Sequence, residues 1–409
     1  MDSLTQITLG AAVGEAVLGK KYGNRAMAWG AVAGTIPDLD VLANLFMEEI
    51  PALAAHRAIT HSLFFAVLWP FVFGYLIHWI YRSGTYLKKG YKWFGFSTSL
   101  IFYILFALTV IFILGIIQGR VSFEGIIISI GVGAFLFYRM YKRYVEGDPF
   151  KVESNYRDWV WLLFWATITH PLLDCCTAYG TQLWQPFSNY RVAWDNISVA
   201  DPLYTFPFLT ALIIASNKKR GTRSRFWWNW AGIIYSLLYM SFTVVNKQSV
   251  NDVFHRTLDE NEVVYERCMT APTILNNVLW HCVAEADSGY YAGFYSLMED
   301  KPVMKKLHYI PKNHEMLKPY DGVRDVETIK WFSKGYYNVM ERDDGKLQMN
   351  NLRFGSTSDS YDKPEDFMFA FTVERENDGS VKVTGRRERG PNEDNAFKTL
   401  WDRILAKDQ

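Results

Sequence analysis

Four short stretches carry the residue types that bind metals or move protons. His56-Arg57-Ala58-Ile59-Thr60-His61-Ser62 offers two imidazoles, and His170-Pro171-Leu172-Leu173-Asp174 an imidazole and a carboxylate. Pro37-Asp38-Leu39-Asp40 adds two carboxylates, and the turn-rich run from Tyr179 to Asp201 contains Arg191, Asp195 and Asp201. His170 and Asp174 stand at i and i+4, on one face of a helix. A carboxylate in so apolar a segment costs on the order of several kcal/mol unless a cation or a donor meets it. A divalent metal is one such partner; an intramembrane His–Asp hydrogen bond is the other. His56 and His61 lie about 500° apart on a regular helix, so they converge only if a helix begins between them. Thr60 is the natural N-cap, which leaves His56 in a loop and His61 in the first turn. Asp38 and Asp40 read either as a helix start after Pro37 or as a further ligand and a general base.

Imidazole and carboxylate donors together favour a divalent metal of the zinc class, with manganese or iron(II) as alternatives, over magnesium or calcium. The expected metal ligands are His56, His61, His170 and Asp174. Asp38 and Asp40 are the expected catalytic carboxylates, Arg191 holds an anionic substrate group, and Asp195 and Asp201 support the ligands. Such a metal makes water nucleophilic near neutral pH.

The elements that must position these groups divide the chain in two. Residues 247–409 hold 51 of the 85 charged side chains in this 409-residue chain, which leaves a sparsely charged front. The expected fold is an α-helical polytopic membrane domain over residues 1–246, followed by a smaller α+β soluble domain over 247–409. Trp93 to Gln118 and Phe226 to Asn246 run without a charge beyond the ~18 residues that mark a span. Ser62 to Tyr81, apolar apart from His78, and Val121 to Tyr138 are also expected spans; Trp159 to Thr177 and Pro202 to Ser216 are weaker ones. Leu4 to Leu18 and Ala26 to Ile36 are too short to cross comfortably. Nothing ahead of the first segment reads as a removable signal.

Basic clusters at Lys20 to Arg25, Arg82 to Lys92, Arg139 to Arg157 and Lys218 to Arg225 alternate with the other connections. By the positive-inside rule this puts residues 37–61, 118–121, 179–201 and everything after Asn246 outside the cytoplasm, in a multi-pass protein of a bacterial inner membrane. The back half shows hairpin turns at Asp287-Ser288-Gly289, Asp343-Asp344-Gly345 and Asn377-Asp378-Gly379, and a closing helix over 395–406. A net charge of +1 excludes a nucleic-acid binder recruited by bulk charge, and four cysteines exclude a disulfide scaffold. Cys268 and Cys282 either pair or are two buried thiols.

The same stretches carry a family resemblance. Met1-Asp2-Ser3-Leu4-Thr5, the Gly10 and Gly14 spacing, Pro37-Asp38-Leu39-Asp40, His56-Arg57-X-X-Thr60-His61-Ser62-Leu63 and His170-X-X-Leu173-Asp174-X-X-Thr177-X-Tyr179-Gly180-Thr181 resemble the inner-membrane metal-dependent hydrolases of the YdjM/YbcI type, often described as LexA-regulated. The likeness covers roughly residues 1–246 and implies a metal-dependent hydrolase. Members usually carry Thr-His near the N-terminus, whereas Gln6 follows Thr5 here. A distant likeness of that family to zinc-dependent phospholipase C is an analogy only.

A site at a membrane–water boundary predicts the lipid bilayer and an amphiphilic or phosphoester substrate as partners. Two other classes compete: a transporter, whose charged groups would line a route through the bilayer, and a noncatalytic scaffold, whose His–Asp contacts would be structural.

Overall fold

The structure, a computed structural model, describes residues 1–97, 100, 104, 123–146, 151, 153–357, 360–376, 378–385 and 396–407. The chain forms two compact units, one of Met1–Pro70 with Trp161–Gln409 and one of Phe71–Val160. Every candidate ligand belongs to the first.

Asp2 accepts from the Thr5 amide at 3.0 Å and starts α1 (Ser3–Tyr22), which turns at Gly23 (φ +61°) into α2 (Asn24–Thr35). Glycines make this hairpin close: a Cβ on Gly10 would stand 2.4 Å from the Gly30 carbonyl oxygen, and one on Gly14 2.2 Å from that of Ala26. Small residues four apart let two helix backbones touch in this way. A 3₁₀ segment (Pro37–Leu45), α3 (Glu49–Ala55) and a 3₁₀ turn (Ile59–His61) lead to α4 (Leu63–Arg82). Ser62 rather than Thr60 caps α4, its hydroxyl accepting from the Phe65 amide at 3.0 Å.

In the second unit, α5 (Phe123–Tyr141) is the longest described helix that lies wholly inside it. Tyr81 stacks on Trp159 at 5.0 Å, and His78, the lone histidine of the expected Ser62 to Tyr81 span, bonds the Ser154 hydroxyl at 3.0 Å. Then follow α6 (Tyr156–Asp174), α7 (Pro202–Ser216) and the 38-residue α8 (Arg223–Glu260).

The expected polytopic membrane domain is corrected by these helices. Among the described residues one helix, α4, is long and apolar enough to cross a membrane, and α7 is apolar but only 15 residues long. Most of the expected span Trp93 to Gln118, and the first residues of Val121 to Tyr138, lie outside the described residues. The Phe226 to Asn246 run is free of charge but not of polarity: it is the middle of α8. A polar seam there faces protein, with Asn229 donating to the Ala12 carbonyl (3.0 Å), Ser236 bonded to the Tyr204 hydroxyl (2.7 Å) and Thr243 accepting from Asn196 (2.8 Å). Arg225 extends the seam, clasping the buried Glu15 carboxylate with Nε at 2.6 Å. The expected span from Trp159 to Thr177 is likewise interrupted, since α6 ends at Asp174 with Thr167, His170 and Asp174 buried.

The back half forms two antiparallel four-stranded meanders. The first comprises β1 (Arg267–Pro272), β2 (Leu279–Glu285), β3 (Gly289–Ser296) and β4 (His308–Pro311). The second comprises β5 (Tyr337–Glu341), β6 (Leu347–Asn351), β7 (Ala370–Arg375) and β8 (Val381–Gly385). The three turns read from sequence join β2 to β3, β5 to β6 and β7 to β8, although Asn377 lies outside the described residues. Helices α9 (Arg324–Phe332) and α10 (Ala396–Ile404) accompany the sheets.

The C-terminal end of α8 packs on the first sheet through Val250, Phe254 and Leu258 against Trp280 and Tyr295. Ile50 of α3 is buried in the core of the second, with Ile329, Val339, Met349 and Phe371. Cys268 and Cys282 are both free thiols: Cys268 stands opposite Ala284, and Cys282 opposite Thr270.

Candidate metal centre

His61, delivered by the 3₁₀ turn before α4, and His170, one turn from the end of α6, point their Nε2 atoms at each other across 3.1 Å. Asp38 Oδ1 lies 3.4 Å from both nitrogens, and Asp174 Oδ2 lies 3.4 Å from both as well. All four atoms fall within 4.8 Å of one another. Ligands held ~2.0–2.1 Å from a tetrahedral zinc stand roughly 3.3 Å apart, so the set has the size of a metal cage.

The outer partners fix which nitrogens face the centre. His170 Nδ1 faces the Gly34 carbonyl oxygen at 2.6 Å, an acceptor only, so Nδ1 carries a proton and Nε2 is left to face the centre. His61 Nδ1 faces Asp40 Oδ2 at 3.1 Å, which sets the same tautomer. Two imidazole nitrogens and two carboxylate oxygens facing one point need a cation among them, either a proton on Nε2 or a metal ion: burial lowers the His170 pKa, but the charge of Asp174 outweighs it and raises it to about 9. The carboxylate–imidazole and carbonyl–imidazole contacts are also the usual outer support of metal-bound histidines. The residues present therefore fit a divalent metal, and a buried cluster of Asp38, His61, His170 and Asp174 could hold one.

The 3₁₀ segment places Asp38 and Asp40 differently. Asp38 reaches the centre, and its side chain is 20 % exposed while those of His61, His170 and Asp174 are fully buried, so the centre opens on the Asp38 side. Asp40 stands behind, accepting from His56 Nδ1 (2.8 Å), the Arg57 amide (2.8 Å) and the Thr60 hydroxyl (3.2 Å) as well as facing His61. Burial pushes both carboxyls up, but hydrogen bonds from imidazoles overcome it and hold both well below the usual carboxylate range: His170 and His61 for Asp38, His56 and His61 for Asp40.

The expected ligand His56 is thus brought to Asp40 and not into the four-atom cage. Arg191 is buried under aromatic rings, its guanidinium 4.8 Å from the Tyr179 ring and 5.3 Å from that of Trp331, and it donates to the carbonyl oxygens of His56 and Tyr179. Burial lowers its pKa to about 10. Asp201 caps α7, accepting from the Leu203 amide at 3.0 Å, and takes the Tyr239 hydroxyl at 2.8 Å. Asp195 lies 3.7 Å from Arg353 and 3.9 Å from Lys247. Neither carboxylate reaches the four-atom cage.

Three neighbours of Asp174 stood outside the expected ligand set. Arg57 Nε stands 3.2 Å from Asp174 Oδ2, with a left-handed backbone (φ +57°) that turns its side chain inward. Gln6 Nε2 donates to Asp174 Oδ1 at 3.0 Å and to the His170 carbonyl at 3.3 Å. The Met1 α-amino group also donates to Asp174 Oδ1. The position after Thr5, where the related proteins usually carry histidine, is therefore beside the centre; the departure at Gln6 was the one sequence signal that pointed there.

No curated protein sequence and no solved structure matches the chain. A family model for the YdjM inner membrane protein matches residues 1–250, well over half of the chain. Membership carries the inner membrane as the compartment, and the motifs that form the centre all fall inside the matched stretch: the chain belongs to the YdjM inner membrane protein family.

Proposed function

We propose that Asp38, His61, His170 and Asp174 hold one divalent metal of the zinc class, and that the centre hydrolyses a phosphoester or lipid-like substrate at the membrane surface. The observation that carries this reading is the convergence of the four atoms, with both Nε2 atoms turned inward. When bound, the metal supplies Lewis acidity and brings the ionisation of water near neutral pH.

The chain does the rest. Gly34 and Asp40 keep the protons on the outer nitrogens of His170 and His61. Arg57 offsets the charge of Asp174 at the closed end, and Asp38, at the open end, is the carboxylate that an incoming water or substrate meets first. In this role Asp38 both ligates and can take a proton, while Asp40 positions His61 and His56. Arg191 shapes the wall behind His56 through Tyr179 and would hold an anionic substrate group that reaches that wall.

The test is elemental analysis of full-length protein purified without chelator, beside His170→Ala and Asp174→Ala. About one zinc-class ion per chain is expected in the wild type, with a large loss in both variants and unchanged helical circular dichroism. Folded wild-type protein that holds no metal refutes the reading and leaves a structural polar cluster.

A further inference from the structure

The segment that delivers Asp38 and Asp40 has a second face. Both carboxylates turn inward to the histidines, while Leu39, Val41 and Leu42 are about half exposed, Leu45 is 72 % exposed and Phe46 86 %. Six large apolar side chains, Met47 included, stand outward within nine residues, far more than the scattered exposed leucines of an ordinary surface.

This ridge is tied to the end of α4. The Thr60 hydroxyl and the Arg57 amide both donate to Asp40, and α4, the helix long and apolar enough to cross a membrane, begins at Leu63. The Leu63 amide in turn donates to the Leu183 carbonyl at 3.0 Å, next to exposed Trp184. Phe187, 84 % exposed, meets Phe64 edge-to-face at 6.2 Å. Aromatic side chains gathered at the end of a spanning helix are the pattern of a headgroup-level belt.

We propose that the Pro37–Met47 ridge lies in the lipid interface, with Leu42, Leu45 and Phe46 in the acyl boundary. The occupant is the bilayer that α4 enters: the ridge adjoins that helix, its apolar side carries no charge, and the next acidic residues, Glu48 and Glu49, come only where the chain turns away into α3. The placement stands whether or not the centre is hydrolytic. For a hydrolase, it means that substrate arrives from the lipid side.

Full-length protein with Cys268→Ser, carrying a nitroxide at Leu42→Cys, Leu45→Cys or Phe46→Cys, would be reconstituted into vesicles of phosphatidylethanolamine and phosphatidylglycerol. Lys301→Cys, on the exposed surface of the C-terminal half, is the reference. Oxygen is expected to relax the ridge labels more strongly than a water-soluble nickel chelate, and the reverse is expected at residue 301. Chelate access on the ridge equal to that at residue 301 overturns the proposal. Spin–spin broadening between copies, with neither quencher reaching the ridge, also overturns it, in favour of a self-association surface. Metal content measured on the same samples reads the centre separately, so the two readings can fail independently.

Discussion

Asp40 meets His56, His61, Thr60 and the Arg57 amide with two oxygens, and every one of those partners is a donor. Asp40→Asn puts an amide donor against a donor and takes away the acceptor that sets the His61 tautomer. Metal affinity is expected to fall by about 10- to 100-fold without being abolished, as for other outer partners of metal ligands. Asp38→Asn removes a ligand and should lose metal outright, and equilibrium zinc titration of the two variants, with circular dichroism as a folding control, separates them. Equal, wild-type affinity in both would leave the Pro37 to Asp40 stretch no part in the centre. At this scale His170 and Asp174 were legible because i, i+4 spacing places two side chains on one face whatever surrounds them. The respective places of His56 and His61 were not: a helix start between them lets both imidazoles converge, and nothing in the sequence says that Asp40 takes His56 away from the cage. Arg57 was hidden for a similar reason: its inward side chain follows from a left-handed backbone that nothing in its neighbours' types announces.

Glycine contacts between α1 and α2 hold the Gly34 carbonyl where His170 Nδ1 needs it. Gly30→Ala tests that element, since its Cβ would stand 2.2 Å from the Gly10 carbonyl oxygen and the helices would have to part. A lower thermal midpoint is expected together with zinc affinity weakened by about tenfold or more, because a shifted carbonyl no longer fixes the His170 tautomer. Unchanged affinity alongside a lowered midpoint would uncouple the hairpin from the centre. Hairpin turns in the back half were readable from Asp-Gly pairs, since the backbone they demand is local. Helix environment was harder to read. A charge-free run resembles a span, yet Asn229, Ser236 and Thr243, spaced by seven, mark a face that α8 turns to protein, and only that period distinguishes a polar seam from a lipid-facing stretch.

Across the whole molecule, the largest readable shift bearing on acid stability in the C-terminal half is that of His281. His281 on β2 is buried between the Phe294 and Tyr361 rings with no hydrogen-bond partner for either ring nitrogen among the described residues, and burial, helped by the Arg403 charge, lowers its pKa to about 3. The unfolded imidazole titrates near 6.5, so between pH ~6.5 and ~3 the unfolded chain binds the extra proton and stability falls as pH falls, by up to about 1.4 kcal/mol per pH unit. His281→Leu is expected to flatten the fall of the thermal midpoint across that window; a slope unchanged from wild type would place the acid sensitivity elsewhere. Sequence could show the polar back half and its turns, but not that Ile50, between the loops bearing Asp40 and His56, would be buried among strands that begin nearly three hundred residues later. That one burial joins the second sheet to the loops around the centre. If the centre holds the metal proposed for it and the strands around Ile50 and Leu53 bias those loops, metal and strands must tighten one another by the same free energy. A ligand of the C-terminal strands would therefore be an effector of the centre, acting at a distance and readable as a change in zinc affinity.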